Sequence, residues 1–365
     1  MTIRFKSLDA LRFILALYVV VGHLADWPFM TRNGGLAVDF FFVLSGFVLA
    51  QSIVTARHGW SEFFARRLAR LWPLNLVTML AVVAMTGITE QMQIFTNFLL
   101  LQNSGILDEL VLNWPSWSIS SEFVIGIFIL WPVAYYRLPI VALMAATFGT
   151  VVLMQQPVPV DHMHVQPYGP FSLGLIRCMV GCLIGYLAYE TFIRYAGCVS
   201  VPRVFATVIH LALLLSVVLL LSASLANGGK GLVILLFPVV ILAFALLRSD
   251  VGDFLSRPGF AFLGTLSFGL YMWHGPIIIM MRQSGMLDQP AMIRQRLYAG
   301  DFADVPLMIA CLLLSVGLAY VSLRLFERPG NRLVMALWNW PRAAGKTAGA
   351  QDSMPVVAAK GADLP

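Results

Sequence analysis

Two residues near the start of the chain have the types and spacing for chemistry. Arg12 and His23 stand eleven positions apart within an apolar segment. At roughly 100° and 1.5 Å per residue, an α-helix returns both side chains to one face, about 16 Å apart along its axis. With Arg12 at one interface, His23 would lie near the middle of a bilayer. An imidazole there is a general base within reach of reactants from either side, and a guanidinium is a ligand for phosphate. The separation roughly matches an extended pantetheine arm, so the pair suits a coenzyme A thioester with its phosphates at Arg12. An arginine reaching to the interface and a histidine hydrogen-bonded between helices would give the same pattern without chemistry.

Other ionisable residues fall in or beside apolar runs, where a charged group needs a partner or a cavity. Arg66, Arg67 and Arg70 precede the third run, and Arg67 and Arg70 share a face if that stretch is helical. Planar guanidinium groups suit phosphate, although basic clusters are also common at inner membrane boundaries. Asp39 opens the second run and could orient His23 or simply favour a helix N-terminus. Glu122, about 7 Å below the expected start of the fourth run, could position His23 or bind an incoming hydroxyl. Ser267, Tyr271 and His274 follow i, i+4, i+7 on one helix face, and Arg177 lies mid-span, where a cavity or a counter-charge is expected. Catalytic candidates are therefore His23, Asp39 and Glu122, with His274 in reserve. Donor-binding candidates are Arg12, Arg67 and Arg70, and substrate or structural candidates are Arg177, Ser267, Tyr271 and His274.

The elements that must position them are set by composition. Of 365 residues, 59% are hydrophobic and only 12% charged, and the mean hydropathy is +0.82. So few charges cannot cover a water-facing exterior. Apolar runs occur near 9–27, 37–55, 70–87, 118–136, 139–154, 171–192, 203–225, 230–247, 260–281 and 305–326, each able to cross a core of about 30 Å. The expected fold is an all-α polytopic membrane bundle of about ten transmembrane helices. The short apolar stretch at 94–101 is expected to lie in a loop along the interface.

Placing the N-terminus inside leaves only Arg32, Lys230, Arg282, Arg294 and Arg296 in the outer segments, while most other basic residues fall in inner ones. The positive-inside bias thus predicts both termini in the cytoplasm. It also accounts for the net charge of +6 without nucleic acid as a partner. Two outer loops, 88–116 and 155–170, contain no Lys or Arg, and an acceptor could approach there. The domain is expected to span 1–330, followed by a cytoplasmic tail, 331–365, whose Gly, Ala and Pro content predicts disorder. The four cysteines, Cys178, Cys182, Cys198 and Cys311, have no metal-ligand spacing, so neither a metal nor a disulfide framework is expected.

Six segments in order carry a resemblance. Leu8-Asp9-Ala10-Leu11-Arg12 with His23 comes first, and Gly35 through Asp39 to Phe47 second. Arg67 to Pro73, Trp117-Ser118 to Glu122, Leu263-Gly264 through Ser267 and Tyr271 to His274, and Phe326-Glu327-Arg328-Pro329 complete the series. Together they resemble the integral-membrane acyltransferase-3 family, bacterial enzymes that O-acylate cell-surface polysaccharides, peptidoglycan, lipid-linked sugars and some secondary metabolites. The resemblance implies an acyl-coenzyme A donor, usually acetyl-CoA, with His23 catalytic and Arg12 its partner. It also implies a carbohydrate acceptor, extracytoplasmic or lipid-linked, and a place in the inner membrane of a bacterial cell envelope among membrane lipids. Separate polysaccharide-assembly proteins are possible partners. Two departures, Phe123-Val124-Ile125-Gly126 after the glutamate and Ser267-Phe268 in place of Ser-Tyr, bear on acceptor identity. The competing reading is a proton-coupled transporter of a small polar solute, which would use the same buried charges without an acyl donor.

Overall fold

The computed structural model describes residues 3–25, 33–107, 109–110, 112–157, 163, 166–223, 227–298 and 300–351. The helices are α1 (Lys6–Ala25), α2 (Ala37–Ala56), α3 (Trp60–Thr86), α4 (Gln91–Phe98), α5 (Trp117–Ile125), α6 (Trp131–Tyr135), α7 (Pro139–Met154), α8 (Leu173–Tyr195), α9 (Arg203–Ser222), α10 (Asn227–Leu246), α11 (Asp250–Leu255), α12 (Pro258–Gln283), α13 (Pro290–Tyr298), α14 (Val305–Ser322) and α15 (Arg328–Gln351). Among the described residues the only strand pairing is a two-residue antiparallel ladder, Pro167–Tyr168 with Phe171–Ser172. Among the described residues eight helical runs are long and apolar enough to cross a membrane, and α7 and Val233–Leu246 are two shorter apolar helices. The protein is a polytopic helical membrane protein, and the apolar helices match the ten expected runs.

Contacts at the helix ends give the bundle two distinct poles. Arg57, after α2, donates to the carbonyl of Tyr135 at the end of α6 (3.0 Å), and Arg137 pairs with Glu190 near the end of α8 (2.6 Å). Arg203 at the start of α9 reaches Asp250 and Asp253 of α11. These ends lie with the start of α1 and form a basic pole. At the opposite pole Arg282 donates to the carbonyl of His23 (3.0 Å), and Asn33 donates to the carbonyls of Leu220 and Ala223.

Three boundaries differ from expectation. The third helix starts at Trp60 rather than near 70, so Arg66, Arg67 and Arg70 are helical rather than in a loop. A hydropathy window misses that start because the arginines face protein partners, not lipid. The 94–101 stretch does not lie flat along the interface. The Trp72 indole donates to the Phe98 carbonyl (2.8 Å) and Asn75 to that of Asn97 (2.8 Å). Trp72 and Asn75 are about 18 and 22 Å along α3 from its start, so the segment descends beside that helix. Its apolar Met92, Phe95 and Phe98 are exposed, while Gln93, Thr96 and Asn97 are buried. Irregular backbone is tolerated at such depth only when protein groups satisfy it, and Ser120 donates to Leu100 O while Gln102 donates to Ser116 O and Oγ. Finally, the boundary expected at 330 falls inside a continuous helical run from Val305 to Gln351. Its Leu and Ala residues favour helix strongly enough to extend it. Residues 352–365 of the expected tail, and His162 and His164 of the expected 155–170 loop, lie outside the described residues.

Candidate active site

The closest approach of α12 to α1 starts the site. A Cβ on Gly264 would meet the backbone and Cβ of Asp9 at 2.7 Å, so only glycine allows this contact. The approach lets Arg12 donate from Nε to Ser267 Oγ (2.8 Å) and from Nη2 to Gly264 O (3.1 Å). On α3, Arg67 pairs with Glu122 of α5, whose Oε1 also accepts from Ser45 (2.7 Å). Arg70 pairs with Glu327 (2.7 Å), and its guanidinium carbon lies 4.9 Å from the Phe268 ring centre. One level further from the basic pole, Ser118 donates to the Tyr271 hydroxyl (2.9 Å). These groups wall a cavity of about 240 Å³ inside the bundle, lined by Arg12, Arg67, Arg70, Glu122, Ser45, Ser118, Ser267 and Tyr271 among apolar neighbours. Three guanidinium groups and one carboxylate line it, with Glu327 and Asp9 behind Arg70 and Arg12.

A histidine pair stands beyond Tyr271. His274, fully buried, places Nδ1 2.5 Å from the carbonyl of Tyr271. A carbonyl can only accept, so Nδ1 carries the proton and Nε2 is the basic nitrogen. Among the described residues that Nε2 has no hydrogen-bond partner. The His23 ring stacks on His274 at 5.5 Å and meets the Trp114 ring edge-on at 4.4 Å. Local sequence explains the position of this cluster. Pro276 has no N–H to offer Met272 one turn below, and Asn113 donates to that vacant carbonyl instead (3.1 Å). The same bond delivers the adjoining Trp114 to both histidines.

The structure thus gathers Arg12, Arg67, Arg70, Glu122, Ser267 and Tyr271 in one cavity, with His23 and His274 in a second cluster joined to it through Tyr271. His23 occupies the last turn of α1, about 26 Å from the first residue, and Arg12 is already more than a turn inside. Glu122 sits where α5 meets an arginine of α3. Asp39 and Arg177 form a separate buried pair, with Nε to Oδ1 at 2.8 Å and Nη2 to Oδ2 at 2.7 Å. Arg177 also donates to Gly35 O (2.5 Å) and lies 5.6 Å from the Trp117 ring centre. The mid-span arginine and the Asp39 carboxylate are each other's counter-charge.

Sequence reasoning assigned no role to Trp114, Asn113, Ser45, Ser118 or Glu327. A signal existed for two of them. Trp114-Pro115 opens a helix after a polar loop, and Glu327 ends an apolar span within a segment already singled out.

An apolar helical bundle with a polar, arginine-lined cavity and an adjoining histidine pair defines a polytopic membrane protein with a polar interior. The sequence profile of the acyltransferase-3 family, described as an acyltransferase domain, matches residues 5–324, and the chain belongs to that family. It is 33% identical to the acyltransferase MdmB of Streptomyces mycarofaciens over 162 residues, covering 38% of this chain and 42% of that one. Against the peptidoglycan O-acetyltransferase OatA of Listeria monocytogenes it is 24% identical over 333 residues, 78% of this chain and 51% of the relative. The chain therefore spans about half the length, or less, of these curated relatives. No solved structure matches it.

Proposed function

We propose that this protein transfers an acyl group, most simply acetyl, from acyl-coenzyme A to a hydroxyl of an extracytoplasmic or lipid-linked carbohydrate, with His23 as the base. The observation that carries this reading is the arginine-lined cavity that opens among the helices and ends on Tyr271, one helical turn from the histidine pair. A phosphate-bearing thioester is attracted at Arg12, Arg67 and Arg70, and its acyl end points toward the imidazoles. The acceptor class is supported by the family and by the peptidoglycan O-acetyltransferase activity of the Listeria relative. The basic pole then faces the cytoplasm of a bacterial cell, both termini with it, and the histidine pole faces outward.

In the transfer, the acceptor hydroxyl oxygen attacks the thioester carbonyl carbon as His23 takes the hydroxyl proton. The carbon–oxygen bond forms, the carbon–sulfur bond breaks, and the proton passes from His23 to the departing thiolate. The products are an ester and free coenzyme A thiol. The stacked His274 and the edge of Trp114 hold the His23 ring in place, and exclusion of water by the apolar bundle strengthens every polar contact inside. Glu122 serves as a positioning residue that keeps Arg67 at the cavity wall. Asp39, through Arg177 and the neighbouring Trp117, braces α5 from its other side.

The test uses purified full-length protein with labelled acetyl-CoA and a polysaccharide acceptor. His23→Ala should lower transfer by at least about a hundredfold, as expected for loss of a general base, while coenzyme A binding persists. Near-normal transfer by that variant would sink the assignment and move it to His274.

A further inference from the structure

A second polar pocket of about 210 Å³ opens at the basic pole, lined by Arg70, Leu323, Glu327, Arg328, Asn331 and Arg332. Arg70 lines both this pocket and the central cavity, so its pair with Glu327 stands between the two. Three features of α15 and the turn before it build it. The π-turn Leu323–Glu327 turns Glu327 inward, where it is 3% exposed. A Cβ on Gly330 would meet the Pro73 ring at 2.5 Å, so α15 is pressed against α3 beside Arg70. Arg328 and Arg332, at i and i+4, then project from one face of the helix. Among the described residues neither is hydrogen-bonded to a carboxylate, and Glu327, the only acid lining the pocket, is already bound to Arg70. An open pocket with three guanidinium groups and one carboxylate calls for an anion, and planar guanidiniums suit phosphate oxygens in particular.

We propose that Arg328, Asn331 and Arg332, with Arg70 at the shared wall, form an antechamber that binds the ribose phosphate of the acyl-coenzyme A donor. That phosphate stays at the basic pole while the diphosphate reaches Arg12, Arg67 and the inner side of Arg70, and the pantetheine arm continues into the cavity. Arg70 then meets one phosphate group from each side, and Glu327 holds it at that wall. This inference rests on the donor reading above. An anionic lipid headgroup offers the same phosphate chemistry, so the test must separate the two sources.

The full chain in nanodiscs of uncharged lipid is titrated with coenzyme A and, separately, with pantetheine, which lacks the phosphates. Arg328→Gln/Arg332→Gln, a change at exposed positions, should weaken coenzyme A binding at least about tenfold and leave pantetheine binding unchanged. Equal coenzyme A affinity in the variant and the unaltered protein would overturn the antechamber while leaving the donor reading intact. A variant that loses only its retention of anionic lipid would assign the pocket to headgroups and overturn it as well. Absence of coenzyme A binding by the unaltered protein would refute the donor reading, and this inference with it.

Discussion

Glu122 accepts from Arg67 and from Ser45 at a single carboxylate oxygen. Both ionic partners are largely buried, with side-chain exposures of 10% and 13%. Removing one member of such a pair leaves the other charge without compensation and costs about 3–5 kcal/mol. Glu122→Gln keeps the side-chain shape but removes the counter-charge, so its thermal midpoint should fall in a detergent melting assay. With Arg67 released from the wall, kcat should drop at least about tenfold while coenzyme A still binds. An unchanged kcat beside the lowered midpoint would limit Glu122 to charge balance. His274 behaves differently at the same scale, because its proton is committed to Tyr271 O and its other nitrogen stays basic. The two histidines are thus unequal, one tied to its own helix and the other presented at the last turn of α1.

Two helices each contain a π-turn just before a proline. Gly126–Leu130 ends ahead of Pro132 and Leu323–Glu327 ahead of Pro329. Proline lacks the N–H for the usual bond and its ring crowds the preceding turn, a conflict that a widened turn relieves. The first π-turn leaves the Ile127 carbonyl for the Trp60 indole (3.2 Å). Each π-turn follows or contains a carboxylate that reaches α3, Glu122 for Arg67 and Glu327 for Arg70. The α2–α8 contact is built by another device. A Cβ on Gly185 would lie 2.0 Å from the Val43 carbonyl, so the two backbones nearly touch and hold Asp39 against Arg177. Arg177→Met should therefore destabilise the fold by about 3–5 kcal/mol, and adding Asp39→Asn should recover much of the loss. Thermal unfolding of the single and double variants checks this. A double variant no more stable than Arg177→Met would show that the pair is not an isolated charge couple.

At the scale of the molecule, the arginine-rich pole and the histidine pole face opposite ends of one bundle. Ile106, exposed in the segment between α4 and α5, stands at the histidine pole. In sealed cells an impermeant thiol reagent should label Ile106→Cys and spare Arg57→Cys. Native Cys198, exposed in the α8–α9 link, should be equally protected. Labelling at position 57 would invert the orientation. Composition alone determined that the bilayer is the solvent. The length of each apolar run determined ten helices, and the placement of Lys and Arg determined which ends belong together. These are local properties, readable within one helix or one loop. Pairing is not local. Arg67 and Glu122 are separated by 55 residues, Asp39 and Arg177 by 138, and Arg70 and Glu327 by 257. Which acid meets which base depends on how each helix is rotated about its axis and how deep it sits. Those quantities are set by glycine contacts, proline-linked π-turns and a descending loop that no hydropathy pattern encodes. Tertiary structure alone therefore decided that Asp39 serves Arg177, that Glu122 serves Arg67, and that His23 meets His274 and Trp114.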